Sequence, residues 1–199
     1  MALCPVYSTP PRFHRKGTLN MDIMTLAVIV DTQDWDDETK AVMMAIAKAE
    51  SALKEDAEGD KLENYRGYWN QLYGPYACNG FLSFGLWQIF TYWHAQKLTD
   101  YTHSKSPCDW AQWLKDPQNN VTIANDVLQA QGFSAWSAYN QQTHLDHLTE
   151  ARLALAALKV DEYAPWDDGH LESLKPVPSL LRHLAHVLEE FLRKATAPS

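Results

Sequence analysis

Residues 36–53 read DDETKAVMMAIAKAESAL, and this stretch decides the fold class. Its leading aspartates, Asp36 and Asp37, suit a helix N-terminus, where carboxylates accept unpaired N–H groups and complement the helix dipole. Glu50 follows Ile46 by about one helical turn, so its carboxylate falls at the margin of the apolar face. Apolar residues recur at helical spacing and predict one buried stripe, formed by Val42, Ala45, Ile46, Ala49 and Leu53.

Further helices are predicted on both local and periodic signals. Asp116 and Pro117 predict a helix start, and Gly132 predicts the end of a helix that runs to Gln131. Apolar periodicity predicts two more helices, over residues 142–158 and 179–195. Because sustained β alternation is missing, the fold class is mainly α.

The segment between the first two apolar regions has a different character. Residues 55–82 are polar, aromatic and rich in turn residues, which predicts a long irregular loop or a small hairpin insertion. The short apolar segment 84–90 that follows is predicted to be buried. We therefore divide the chain into a partly disordered leader (1–35), a helical domain (36–145) and a C-terminal helical extension (146–199).

Composition excludes several classes of function. The 199 residues carry a net charge of −8, which argues against nucleic-acid binding because phosphates require Lys and Arg. No apolar run reaches the length of a membrane span, so we expect no membrane insertion. The eight-residue apolar run 23–30 leads into acidic residues without a cleavage pattern, so we expect no signal peptide.

Cysteine and histidine give no strong sign of a metal or a disulfide framework. Three cysteines are sparse, so free thiols are favoured, with a Cys78–Cys108 bridge as the alternative in an oxidising compartment. The two histidine pairs lack a third ligand, so exposed helix residues are favoured and no metal or cofactor is expected. These pairs are His144 with His147 and His183 with His186.

Four short segments stand in a definite order along the chain: AIAKAES (45–51), SFGLWQI (83–89), DPQNN (116–120) and GFSAWSAYN (132–140). In this order they resemble the lysozyme superfamily, in particular the soluble lytic transglycosylases and the related goose-type and phage-tail lysozyme domains. Those families show an AxAxxES helix, a GLMQI or GLWQI segment, a DPxxNxxxA segment and a late WxxY or YNxG element. The resemblance implies a lysozyme-like α-helical domain over residues 36–145.

The resemblance also implies roles for individual residues. Glu50 matches the catalytic glutamate, Gln88 the glutamine that lines the sugar cleft, and Tyr139 the tyrosine that faces the catalytic carboxyl group. Asn140 is followed by Gln-Gln where many transglycosylases have Ala-Gly, so its role stays open. The remaining substrate-binding candidates from these segments are Ser83, Trp87 and Asn140.

The chemistry explains why such a glutamate is needed. Cutting a glycosidic bond requires a carboxylic acid that is still protonated near neutral pH, and desolvation beside apolar groups favours that form. Hydrolases add a second carboxylate, for which Asp56, Glu58 and Asp60 are candidates. Lytic transglycosylases need one glutamate, because the 6-hydroxyl of the sugar itself attacks. Both reaction types stay open.

The implied function is cleavage of the N-acetylmuramyl-β-1,4-N-acetylglucosamine bond of peptidoglycan by a lytic transglycosylase or muramidase. The implied partners are glycan strands and, for a phage product, other phage tail proteins. Without a signal peptide, we expect a virion-associated or phage-released enzyme acting on the bacterial wall, and otherwise a cytoplasmic protein. The alternative is a catalytically inactive lysozyme-like module of a phage tail or secretion assembly. The two differ in whether Glu50, Gln88 and Tyr139 converge on one open cleft.

Overall fold

Helices account for most of residues 20–162, which is the part of the chain that the computed structural model describes. The mainly α prediction is confirmed. The helices of this part are α1 (Ile23–Asp31), α2 (Asp37–Ser51), α3 (Tyr68–Tyr73), α4 (Thr91–Thr102), α5 (Pro107–Leu114), α6 (Pro117–Gln131), α7 (Ser137–Asn140) and α8 (Leu145–Glu162). The strands are β1 (Glu58–Lys61), β2 (Phe81–Phe84) and β3 (Ile89–Phe90), and short 3-10 turns occupy Leu62–Asn64, Gly74–Tyr76 and Phe133–Ala135.

Helix α2 carries Glu50 and lies in the middle of the core. Its N-cap is Asp36, as predicted, with the carboxylate accepting from the N–H of Thr39 at 2.7 Å. Residues 41–47 are all buried, so this part of the helix is enclosed on every side and presents more than the single predicted stripe. Helices α1, α7 and α8 pack against it. Glu50 is half-buried and lies where the helix leaves the core.

Helix α1 lies within the predicted leader but is part of the folded domain. Its N-cap is Asp22, and it packs against α2 and α8. No helix within residues 20–162 is both long and apolar enough to span a membrane. Residues 1–19 of the predicted leader lie outside the described residues. The side chains that α1 buries are Leu26, Ala27, Ile29 and Val30.

Helix α8 crosses the predicted start of the C-terminal extension. It packs along α2 and α1, and it buries Ala151, Ala154 and Leu155. Arg152 also pairs with Glu38 of α2 at 2.6 Å. Helix α8 therefore belongs to the same compact unit as α1 and α2. The helix predicted for residues 179–195 lies outside the described residues.

The predicted loop or hairpin insertion contains a small sheet and one short helix. The sheet order is β1-β2-β3 with antiparallel pairing throughout, and Gly59 lies opposite Ser83. Helix α3 and two 3-10 turns connect β1 to β2. The hairpin form of the prediction is therefore the one observed.

The expectation of free thiols is wrong for two of the three cysteines. Cys78, just before β2, forms a disulfide with Cys108 of α5. The bond joins residues 30 positions apart and ties the end of the insertion to the helical part of the domain. Sequence spacing could not establish this pairing, because it depends on how β2 and α5 pack.

Candidate active site

Glu50 is held by two hydrogen bonds from the last of the four sequence segments. Its Oε1 accepts from the backbone N–H of Ala138 at 2.8 Å and from the Ser137 hydroxyl at 2.9 Å. Oε2 accepts no hydrogen bond from the side chains or backbone of residues 20–162. One carboxyl oxygen is therefore fixed, and the other has no hydrogen-bond donor within these residues.

The N–H of Ala138 is available because it belongs to the first turn of α7. The first N–H groups of a helix have no partner inside the helix, so a carboxylate from a neighbouring element can satisfy one of them. The chain enters α7 through the 3-10 turn Phe133–Ala135 and Trp136, which is buried. The GFSAWSAYN segment thus positions the donors for Glu50.

Two tryptophans connect this segment to the rest of the site. The indole N–H of Trp136 donates to the carbonyl oxygen of Trp87 at 3.0 Å. The indole N–H of Trp87 in turn donates to the carbonyl oxygen of Met43 in α2 at 2.9 Å. Both bonds are buried, where a lost partner costs about 1–3 kcal/mol. They hold the segment 83–89 between α2 and α7.

Asn120 explains why the DPQNN segment accompanies the others. It is fully buried, and its amide donates to the carbonyl oxygens of Phe84 at 3.1 Å and Leu114 at 2.9 Å. Its Oδ1 accepts from the N–H of Trp87 at 2.9 Å. One side chain on α6 therefore fixes the backbone on both sides of Gly85.

Gly85 and Gln88 form the tight connection between β2 and β3. Gly85 has φ +80°, and an added Cβ would lie 2.2 Å from the Asn120 amide and 2.4 Å from the Leu114 carbonyl oxygen. Gln88 also has a positive φ, +48°, which is uncommon for a residue with a side chain and concentrates at functional sites. Its Nε2 donates to the Gly85 carbonyl oxygen at 2.8 Å.

The Gln88 amide lies against the neighbouring strand β1. A Cβ added at Gly59 would lie 2.1 Å from the Gln88 Oε1, so a larger residue there would displace the Gln88 amide. Gln88 and Glu50 share no hydrogen bond within the described residues, but they belong to one connected arrangement. From Glu50 the path runs through Ala138 to Trp136, across one hydrogen bond to Trp87, and on to Gln88.

Tyr139 is placed by stacking against two neighbouring rings. Phe133 lies 5.2 Å away on one side and His144 4.8 Å away on the other, measured between ring centroids. The Nδ1 of buried His144 lies 3.1 Å from the Ala138 carbonyl oxygen, which anchors the ring. The Tyr139 hydroxyl makes no hydrogen bond to Glu50, and Ser137 occupies that role instead. The role implied for Tyr139, facing the catalytic carboxyl group, stays a prediction.

Two of the candidate second carboxylates are engaged elsewhere. Glu58 pairs with Lys115 at 2.6 Å. Asp60 accepts hydrogen bonds from the hydroxyls of Ser83 and Tyr65, the latter at 3.3 Å. Burial first, and then the charge of Asp60 and the hydrogen bond to it, raise the pKa of Tyr65 to about 12. Asp56 is exposed.

The other substrate-binding candidates differ in how far they are exposed. Trp87 and Ser83 have no exposed surface, and their predicted role in substrate binding stays a prediction. Asn140 is exposed, and its amide donates to the Ser134 carbonyl oxygen at 2.9 Å. Among the candidates, Tyr139 and Asn140 are exposed, and Glu50 and Gln88 are partly exposed.

Sequence reasoning missed Ser137 and Asn120 as site residues. Both lie in segments that it singled out, but their partners are 87 and 36 residues away along the chain. No group of three metal-binding side chains occurs among the described residues. Of the two histidine pairs, His183 and His186 lie outside those residues.

The segments that build this arrangement also define its family. The sequence model of the transglycosylase SLT domain matches residues 31–144, which is more than half of the chain. Comparison with curated proteins and with solved structures gives no significant match. The match spans α2, the sheet, α6, α7 and the hydrogen bonds that join them. The chain belongs to the transglycosylase SLT domain family.

Proposed function

We propose that this domain is a lytic transglycosylase that cleaves the N-acetylmuramyl-β-1,4-N-acetylglucosamine bond of peptidoglycan, with Glu50 as its single acid and base. The observation that carries the proposal is the asymmetric holding of the Glu50 carboxyl group. Oε1 already accepts two hydrogen bonds, so the transferable proton belongs on Oε2, which has no partner within residues 20–162. Family membership supports the substrate class.

The reaction then needs two proton transfers at one oxygen. Oε2 donates its proton to the leaving glycosidic oxygen as the bond to the muramyl C1 breaks. The carboxylate next accepts the proton of the muramyl 6-hydroxyl, whose oxygen bonds to C1 and closes a 1,6-anhydro ring. No water is consumed, and Glu50 ends protonated as it began. The two donors to Oε1 hold the carboxyl group in place through both steps.

The surroundings of two of the three candidate second carboxylates favour this route over hydrolysis. An inverting or retaining hydrolase needs a second carboxylate as base or nucleophile. Glu58 is paired with Lys115, and Asp60 accepts hydrogen bonds from Ser83 and Tyr65. We therefore propose that Glu58 and Asp60 stabilise the small sheet and take no part in the reaction.

Digestion of purified peptidoglycan with mass spectrometry of the products tests the proposal. We expect products about 18 mass units lighter than hydrolysed muropeptides, because one water is missing. Glu50→Gln should lower the rate by about 10²- to 10⁴-fold. Glu63→Gln, at an exposed glutamate of the insertion, is the matched control and should keep full activity.

Other outcomes decide between the alternatives. Ordinary reducing ends that depend on Glu50 would make the enzyme a muramidase and overturn the single-carboxylate mechanism. No release from several wall types by folded protein would favour the catalytically inactive module.

We also propose that the domain acts outside the cytoplasm. Its substrate is there, and the Cys78–Cys108 disulfide is of a kind that persists in oxidising surroundings. Delivery by a phage tail or by phage-induced release stays part of this proposal. Immunodetection of the chain in purified virions tests the tail route.

A further inference from the structure

We infer that a second surface, outside the candidate active site, binds the glycan strand by ring stacking. We call it the aromatic platform and define it as Tyr68, Trp69, Tyr73, Tyr92 and Trp93. This inference rests on the proposed function, which identifies the polymer as peptidoglycan. A polymeric substrate extends beyond the bond that is cut, so it can contact the protein at a second surface.

The platform exposes large rings that a soluble domain would otherwise cover. Tyr68 is 68% exposed, Trp69 51% and Trp93 65%. Exposed apolar patches of this kind mark binding surfaces more often than single scattered side chains do. These three rings come from two helices, α3 and α4.

Buried rings beneath hold the exposed ones in a continuous row. Ring centroids lie 5.3 Å apart for Tyr68 and Trp69, and 5.7 Å apart for Trp69 and Tyr73. The row continues from Tyr73 to Tyr92 at 4.9 Å and from Tyr92 to Trp93 at 4.6 Å. Tyr73 is buried, so the row is anchored in the domain. A fixed surface loses little conformational entropy when a ligand binds.

The chemistry of the neighbouring side chains fits a sugar. Helix α3 has no charged residue, and two amides, Asn70 and Gln71, follow its ring pair. The Asn70 amide donates to the Leu62 carbonyl oxygen at 3.0 Å, and Gln71 is exposed. The C–H faces of pyranose rings stack on aromatic faces, while amides serve sugar hydroxyls.

The same surface fits an anionic membrane poorly. Binding to anionic lipids uses clusters of about four to eight Lys or Arg residues. Lys97 of α4 is already paired with Asp126 at 2.8 Å, and Arg66 before α3 adds a single positive charge. The net charge of −8 opposes the same partner.

Ring and hydrogen-bond contacts link the platform to strand β1 of the small sheet. The Tyr73 ring lies 5.1 Å from the Tyr65 ring, and the Tyr65 hydroxyl donates to Asp60 of β1. Gly59, the preceding residue, lies against the Gln88 amide. These contacts connect the platform to the strand that lies against Gln88.

Co-sedimentation of the full chain with purified sacculi and with chitin, an uncharged β-1,4-linked polymer, tests the inference. All proteins carry Glu50→Gln, so binding is measured without turnover. We expect Trp69→Ala and Trp93→Ala each to weaken binding by about twofold to tenfold. Trp69→Phe keeps a ring and should keep most of the affinity. Tyr101→Ala is the matched control, because Tyr101 is 44% exposed but stacks on Trp113 and shares no ring contact with the platform.

Equal binding by the wild-type platform and the Trp69→Ala/Trp93→Ala double variant would overturn the inference. Co-sedimentation with vesicles of phosphatidylglycerol and phosphatidylethanolamine tests the membrane alternative. If the double variant loses vesicle binding but keeps glycan binding, the inference is also overturned. Both results leave the Glu50 mechanism untouched, since they concern binding alone. Conversely, if no muropeptides are released but glycan binding still depends on Trp69 and Trp93, the proposed activity is wrong and the platform inference stands.

Discussion

The indole N–H of Trp136 donates to the carbonyl oxygen of Trp87, and this bond joins the segment that orients Glu50 to the segment that carries Gln88. Trp87 is bonded in turn to Met43 of α2, the same helix that bears Glu50. The four sequence segments therefore meet through side-chain-to-backbone bonds, with Asn120 supplying the remaining link. These hydrogen bonds determine where Gln88 lies relative to Glu50 in the folded domain.

Trp136→Phe should weaken both the fold and the activity. The change keeps most of the buried ring but leaves the Trp87 carbonyl oxygen without its donor, at a cost of about 1–3 kcal/mol of unfolding free energy. Activity should fall more than stability explains, because Gln88 is released with Trp87. Urea denaturation and a turbidity assay on peptidoglycan measure the two effects. Unchanged values for both would show that this bond does not position the site.

Ser137→Ala should lower kcat about tenfold and leave KM nearly unchanged, because Ala138 alone then holds the Glu50 Oε1. Ser137→Thr keeps the hydroxyl and should recover most of the rate. The control is Ser134→Ala, since the Ser134 hydroxyl donates to Gln131 and not to Glu50. Steady-state kinetics on soluble glycan strands separate kcat from KM. If Ser134→Ala and Ser137→Ala behave alike, Ser137 has no special role.

Gly85→Ala should destabilise the domain by about 3 kcal/mol or more, because it combines a positive φ with a collision against Asn120 and Leu114. Gly74→Ala is the matched control, since the nearest atom to an added Cβ there is 4.0 Å away. That substitution should change stability by no more than about 0.5 kcal/mol. Thermal and chemical denaturation distinguish the pair. Similar stability of the two variants would mean that the turn at Gly85 adapts.

His94 should make the domain less stable in mild acid. Burial, and then the positive charge of Lys97, lower the pKa of His94, while the charge of Asp126 opposes the shift. Below the ordinary value of about 6.5, the unfolded state takes up a proton that the folded state resists. The unfolding free energy therefore falls as the pH drops from about 6.5 toward the lowered folded value.

His94→Gln removes this contribution. Between about pH 7.5 and pH 5.5, wild type should lose more unfolding free energy than the variant in urea denaturation. The carboxylates titrate in both proteins and cancel in the comparison. An equal loss would assign the acid sensitivity to other groups.

Local signals predicted the parts of this structure that local physics determines. The caps at Asp36 and Asp116 and the stop at Gly132 lie where the sequence places them, because each depends on residues within one helical turn. Helix α1 was missed because its burial depends on α2 and α8, which are distant in sequence. The hairpin form of the insertion was one of two predicted possibilities.

The residues of the candidate site also fall into two groups, those that the sequence identified and those that it did not. Glu50 and Gln88 were found because their segments resemble a family pattern, and that pattern records which residues recur together. Ser137 and Asn120 were not singled out, because a serine before a short helix and an asparagine within a long one give no local signal of a distant partner. Their importance comes from the acceptors that packing brings to them.

The disulfide between Cys78 and Cys108 encloses β2, β3 and α4, and thus the whole turn from Gly85 to Gln88. A covalent ring around that turn limits how far it can open while the rest of the domain stays folded. The redox state of the surroundings then governs the working lifetime of the enzyme. Chain produced in a reducing cytosol should lose its activity to proteases sooner than the same chain matured where thiols are oxidised.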